Sequence, residues 1–135
     1  MDQASAREQS LSHHLALAVC RDGRGNGHLF NELIRVAYIA WFLQQAGYGT
    51  ERVECYKMAE YAVEAALEVA DRSNEWILAE DAIPVFERLL ALHDAQLGTA
   101  PLHKVIEAER QLQHFLAGTA PSPIPEPDRG SAENH

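Results

Sequence analysis

The chain has 135 residues, 47% of them hydrophobic, and a formal net charge of −9. That length and composition suit one globular domain with a buried core. The charge is uneven: residues 1 to 50 balance four Arg against two Asp and two Glu, while the rest sets seven Lys and Arg against sixteen Asp and Glu. Such an acidic field works against a phosphate-tracking surface and favours solubility or a basic partner, so nucleic acid is not the expected partner.

The opening MDQASAREQSLSHH is polar, with no basic start leading into an apolar run, and no later stretch reaches membrane-span length. The reading is therefore a cytoplasmic protein with no membrane partner. Residues 1 to 10 are read as a flexible start. Ser10 or Ser12 then caps a helix through LSHHLALAVC, with Leu11, Leu15, Ala18 and Val19 as its apolar stripe. RDGRGNG, residues 21 to 27, stops that helix and reverses the chain.

The helix from His28 to Gln45 is the element around which the others are expected to gather. Its first half is amphipathic, and its second half has eight consecutive apolar residues from Val36 to Leu43, which cover every direction around a 3.6-residue period. Such a helix must be surrounded. If four short amphipathic neighbours leave Tyr38, Trp41 or Phe42 uncovered, those aromatics mark an interface. GYGT ends it, with Gly47 suited to a left-handed cap and Thr50 to capping the next helix.

The third helix, roughly residues 51 to 72, carries Val53, Tyr56, Val63, Leu67 and Ala70 on one stripe and small residues beside it. Glu54, Glu60, Glu64, Glu68 and Asp71, with Arg52, Lys57 and Arg72, read as its solvated face. Ser73 or Asn74 is expected to cap a fourth helix in which Trp76, Ala79, Ile83, Phe86, Leu90, His93 and Leu97 recur at helical steps. Pro84 falls inside that register, which favours a kink over a new helix starting with Pro84 in its first turn. A last helix follows, with Thr99 as cap, Pro101 in its first turn, Leu102, Val105, Ile106, Leu112, Phe115 and Leu116 as apolar residues, and Gly118 at its end. Residues 118 to 135, with four prolines after Thr119 and Ile124 as the single large aliphatic, read as a disordered Pro-rich tail. The domain is thus residues 11 to 117, an all-α antiparallel bundle of four to five helices around the central apolar helix.

The most site-like segment is CRDGRGNGH, residues 20 to 28, where Arg21, Arg24, Asn26 and His28 stand at a helix N-terminus suited to anions. The competing reading is a tight loop whose arginines pair with carboxylates. No nucleotide motif is satisfied. Cys20 and Cys55 lack CxxC spacing and read as buried free thiols. Seven histidines form no HxxxH or HExxH pair, and His13 and His14 diverge around their helix. A site assembled between helices, with His93 and Asp94 joining one of them, stays open. Glu80 and Asp81 beside Pro84 form the one carboxylate pair suited to a cleft, and no hydrolase signature is present. No metal, cofactor or catalytic residue is assigned, and the chain is read as not an enzyme.

LALAVCRDGRGNGHLFNELIRVAYIAWFLQQAGYG resembles a group of short proteobacterial proteins that often carry the label of Fis-family transcriptional regulator, over residues 11 to about 117. Fis proteins end in a basic helix-turn-helix, whereas this chain ends in an acidic amphipathic helix and a proline-rich tail, so the label finds no matching residues. The resemblance implies a bacterial, cytoplasmic, regulatory or accessory protein. The function expected is protein binding through a helical face, with itself or another protein, using Arg21, Arg24, Asn26, His28, Arg35, Tyr38, Trp41 and Phe42. The alternatives are a DNA-binding regulator using Arg7, His13, His14, Arg21, Arg24 and Arg35, and anion or metal binding at the 20 to 28 loop.

Overall fold

The computed structural model describes residues 2 to 126, and over them the chain forms five α-helices and no strand. These are α1 (Gln3–Arg21), α2 (Gly27–Gln45), α3 (Val53–Ser73), α4 (Ile83–Thr99) and α5 (Leu102–Ala117), with a 3-10 turn, Glu80–Ala82, leading into α4. Helix α2 packs against all four others, so the expected all-α bundle around a central helix is what forms. Phe30, Leu33, Val36, Ala37, Ala40 and Leu43 are each at most 3% exposed along it. No helix among the described residues is long and apolar enough to cross a membrane.

The aromatics of α2 are covered by the chain's own helices. Trp41 meets Tyr56 of α3 edge-on with ring centroids 5.2 Å apart, and Tyr38 meets Phe115 of α5 in the same way at 5.6 Å. Tyr38 and Trp41 are therefore core residues, which corrects the expectation that they mark an interface. Phe42 is half-buried.

Further expectations are corrected. Residues 3 to 10 are not a loose start but the first turns of α1, capped by Asp2, whose side chain accepts from the Ser5 amide at 2.8 Å. The buried side of α1 is Ala16, Leu17 and Cys20, while Leu11 and Leu15 are 61% and 55% exposed. Ala16 and Cys20 let α1 close onto α2 and α4 around Leu17, and that outweighs the outward-facing stripe.

Asn74 does not start a helix. It ends α3 in the left-handed conformation, φ 59°, and the chain then runs without helix to the 3-10 turn. Pro84 sits in the first turn of α4, where its missing N–H costs nothing, and Pro101 precedes α5 at its N-cap. Thr99 donates back to the Ala95 carbonyl within α4 and caps nothing. The expected turn after α2 does form, with Gly47 at φ 104° and Gly49 at φ 132°. Gln44 closes it by donating to the Glu51 carbonyl and accepting from the Glu51 amide.

Residues 118 to 126 pack back on the bundle, with Ile124 only 3% exposed in the main core cluster. The rest of the expected tail, 127 to 135, lies outside the described residues. Lys57 and Glu60, read as part of a solvated face, are 4% and 3% exposed. Glu60 falls on the stripe between Tyr56 and Val63, and its charge is met from inside the protein.

Candidate functional site

The helices bring the ionisable groups of the chain together at two places. The first is a cavity of about 280 Å³ where α1, α2, α4 and α5 meet, lined by Gln9, Ser12 and His13 of α1, Glu32, Arg35, Val36 and Ile39 of α2, His93 of α4, and Val105 and Glu109 of α5. The small volume and the concentration of charge suit a compact polar ligand.

His93 is the most deeply placed polar residue of these, 2% exposed. Its tautomer is fixed by Gln96. The Gln96 amide nitrogen donates to the Ala40 carbonyl at 3.0 Å and to the Tyr48 carbonyl at 2.7 Å, so its oxygen is free to accept from His93 Nδ1 at 3.0 Å. Nε2 of His93 is left with an open lone pair and no hydrogen-bond partner among the described residues. His13 lies across from it, ring centroids 5.5 Å apart, and its buried Nδ1 has no partner among those residues either. Burial holds both imidazoles below the usual histidine pKa, and for His13 the nearby His93 adds to this. Both are neutral near pH 7.

His14 turns the other way and meets Asp94 at 2.9 Å, leaving Asp94 Oδ1 buried without a partner among the described residues. The two adjacent histidines that diverge around α1 thus both reach α4. Among the described residues no three His, Cys, Asp or Glu side chains are placed to hold a metal ion.

The second place is a buried charge cluster. Glu60 Oε2 accepts from the Tyr38 and Ser122 hydroxyls, each at 2.5 Å, and Oε1 accepts from Lys57 Nζ at 2.9 Å. Glu126 meets Lys57 at 3.4 Å and accepts from the Tyr61 hydroxyl at 3.0 Å. Every oxygen of Glu60 is satisfied from within, so the cluster fastens residues 122 to 126 to α2 and α3 rather than offering a vacant site.

Of the residues assigned to partner binding in the sequence, Arg35 alone lines the cavity, where it joins His13 and His93, which the sequence had offered for other roles. Arg24 pairs with Asp22 at 3.3 Å with its side chain 75% exposed, and Arg21 and His28 lie on the surface. Asn26 caps α2, its side chain accepting from the Leu29 amide at 3.0 Å. Gly25 is held against Cys20 and Phe30, where an added Cβ would lie 2.9 Å from Sγ and 3.0 Å from Cε2. The 20 to 28 segment is thus a packed loop with an engaged cap. Phe42 borders a groove with Phe115 and residues 118 to 120 and 123. Glu80 and Asp81 are exposed on the 3-10 turn, and only Asp81 of the two borders a shallow cleft, with Met58, Tyr61 and Val85. Both cysteines are buried free thiols, and burial pushes Cys20 up to about 11.

Glu32, Glu109, the approach of His13 to His93 and the fixed tautomer of His93 were not assigned from the sequence. The available signal was His93 itself, a polar residue in an apolar register. Compared with protein-family models, curated proteins and solved structures, the chain finds no match.

Proposed function

We propose that the chain is a small non-catalytic accessory protein of regulatory type that works by protein–protein association, its first partner being a second copy of itself, through the face made by α1 and α5. The observation that carries this is the set of large aliphatic side chains those helices leave to solvent. Leu11 and Leu15 on α1, and Leu102, Ile106 and Leu116 on α5, are 40 to 61% exposed. Both helices contribute to the lining of one cavity.

Charge supports a second copy as the occupant. Helix α1 offsets Arg7 and Arg21 against Glu8 and the capping Asp2, and α5 offsets Lys104 and Arg110 against Glu107 and Glu109. The excess of carboxylates lies elsewhere, on Glu54, Glu64, Glu68 and Asp71 of α3 and on Glu75, Glu80 and Asp81 beyond it. Two such faces meet without the repulsion that the net charge would otherwise impose. DNA binding is disfavoured, because His13 and His14, two of its six basic candidates, face α4.

Light scattering of the purified chain tests this. A dimer that becomes monomeric in the Leu11→Glu, Leu102→Glu double variant, with its helical circular dichroism unchanged, supports the reading. A monomer at every accessible concentration overturns it.

A further inference from the structure

The cavity between α1, α2, α4 and α5 holds an arrangement that the dimer reading does not use. Glu32 and Arg35 stand one turn apart on α2, a spacing at which opposite charges on a helix normally pair. Both are half-buried and both line the cavity, yet neither makes an ion pair among the described residues. Glu109 enters from α5, also without an ion-pair partner among those residues. His93, 2% exposed, adds the open lone pair of Nε2, fixed as an acceptor by the Gln96 hydrogen bond. The cavity therefore offers one cationic donor, two carboxylates and a neutral imidazole acceptor among its lining groups.

We propose that this cavity binds a small amino-carboxylate, a molecule bearing one carboxylate and one ammonium group, of which a free α-amino acid is the simplest. The carboxylate is met by the Arg35 guanidinium and the ammonium by Glu32 and Glu109, with His93 Nε2 accepting an N–H or O–H. Ser12 and Gln9 complete the polar lining. An inorganic phosphate suits the cavity poorly, because two carboxylates face it against a single guanidinium. A purely apolar ligand would leave Glu32 and Arg35 desolvated and unpaired. At about 280 Å³ the space is at the small end of ligand pockets, in keeping with a molecule of amino-acid size. The inference does not rest on dimer formation, since all the residues named come from one chain.

The test is a thermal-shift and calorimetric screen of the full chain with the proteinogenic amino acids at millimolar concentration. Each amino acid that binds is paired with its carboxylate-only and amine-only counterparts, such as acetate and methylamine for glycine. The expected result is one or a few amino acids that raise the melting temperature and bind one per chain, with both counterparts much weaker. Arg35→Gln and Glu32→Gln should each weaken binding by about tenfold or more, and Arg110→Gln, outside the cavity, should leave it unchanged. The histidine ring signals of the unaltered chain give a readout that needs no variant, and those of His13 and His93 should move on titration. No binding by any amino acid, equal binding by a carboxylate-only counterpart, or binding that leaves those ring signals in place would overturn the proposal. Light scattering of the same samples reports the dimer separately, so one reading can fail without the other.

Discussion

Tyr38 on α2 donates its buried hydroxyl to Glu60 of α3 at 2.5 Å, and this bond ties the most apolar helix of the chain to the most acidic one. Burial, reinforced by the Glu60 hydrogen bond, pushes the Tyr38 hydroxyl well above the usual tyrosine pKa, so it remains a donor throughout the physiological range. Lys57 supplies the countercharge to Glu60 in the same enclosed space, with both side chains at most 5% exposed. A carboxylate placed there would be costly if its oxygens were not all engaged.

Lys57→Met should therefore cost about 3–5 kcal/mol, because it leaves Glu60 as a buried charge without a cation. Urea unfolding measures this directly. The double variant Lys57→Met, Glu60→Leu should cost less than the two single changes added together, since it removes both charges at once. Additive costs would show that the two residues do not act as a pair.

Residues 118 to 126 belong to the fold, and their removal should show it. Ile124 is buried in the main core, Ser122 donates to Glu60, and Glu126 reaches Lys57. Ile124→Ala should destabilise the chain by about 2–5 kcal/mol, the usual range for emptying a buried aliphatic site. Ending the chain after Gly118 should cost at least as much and expose Lys57 to faster amine modification. A truncated chain as stable as the full one would mean that the segment adds nothing to the core.

How much of this was legible in the sequence follows from which residues carry their own signal. The central helix announced itself, because eight apolar residues in a row leave no solvent face. The rest of the bundle followed from its loops, since GYGT and RDGRGNG stop helices whatever surrounds them. Glu60 was misread because glutamate on an alanine-rich helix is usually solvated, although its spacing from Tyr56 and Val63 put it on the buried stripe. Leu11 and Leu15 were misread in the opposite sense, since size alone does not tell a helix which side to bury when the other side carries small residues that pack closely. The cavity was the least visible feature. Its lining comes from four helices, and only their packing brings His13 against His93 or Arg35 and Glu32 opposite Glu109. The Pro-rich composition after Thr119 read as a disordered tail, but over the described residues up to 126 one isoleucine and one serine anchor the segment to the core.

The loop before α2 offers a contrast between two neighbouring positions. Arg24→Ala removes an exposed pair with Asp22 and should change stability by less than about 0.5 kcal/mol. Gly25→Ala forces a methyl group against Cys20 Sγ and Phe30 and should cost about 1–3 kcal/mol. Thermal melts of the two variants distinguish a packed loop from a surface held for its charge, and equal effects would refute the packing argument.

The pH dependence of stability should carry the signature of the two cavity histidines. In the unfolded chain His13 and His93 take up protons around the ordinary value of 6.5, whereas in the fold burial holds both below it. The titratable and charged groups facing them are Glu32 and Arg35 from α2, Glu109 from α5, and Asp94 and His14 at the α1–α4 contact. Asp94 and Glu32 favour protonation of His13, but desolvation outweighs them. Above pH 6.5 both states of the chain carry neutral imidazoles, and the stability the pair contributes is fully present. As pH falls below 6.5 the unfolded chain binds protons that the folded one refuses, so stability must decline until the folded-state pKa values are passed. Urea unfolding at about pH 7.5 and about pH 5.5 should show this loss, and His93→Gln, which cannot titrate, should show a smaller one. Because His93→Gln alters packing as well, the comparison rests on the change between the two pH values within each protein, not on their absolute stabilities. An unchanged difference in the variant would remove His93 from the account and leave His13 alone to explain any acid sensitivity.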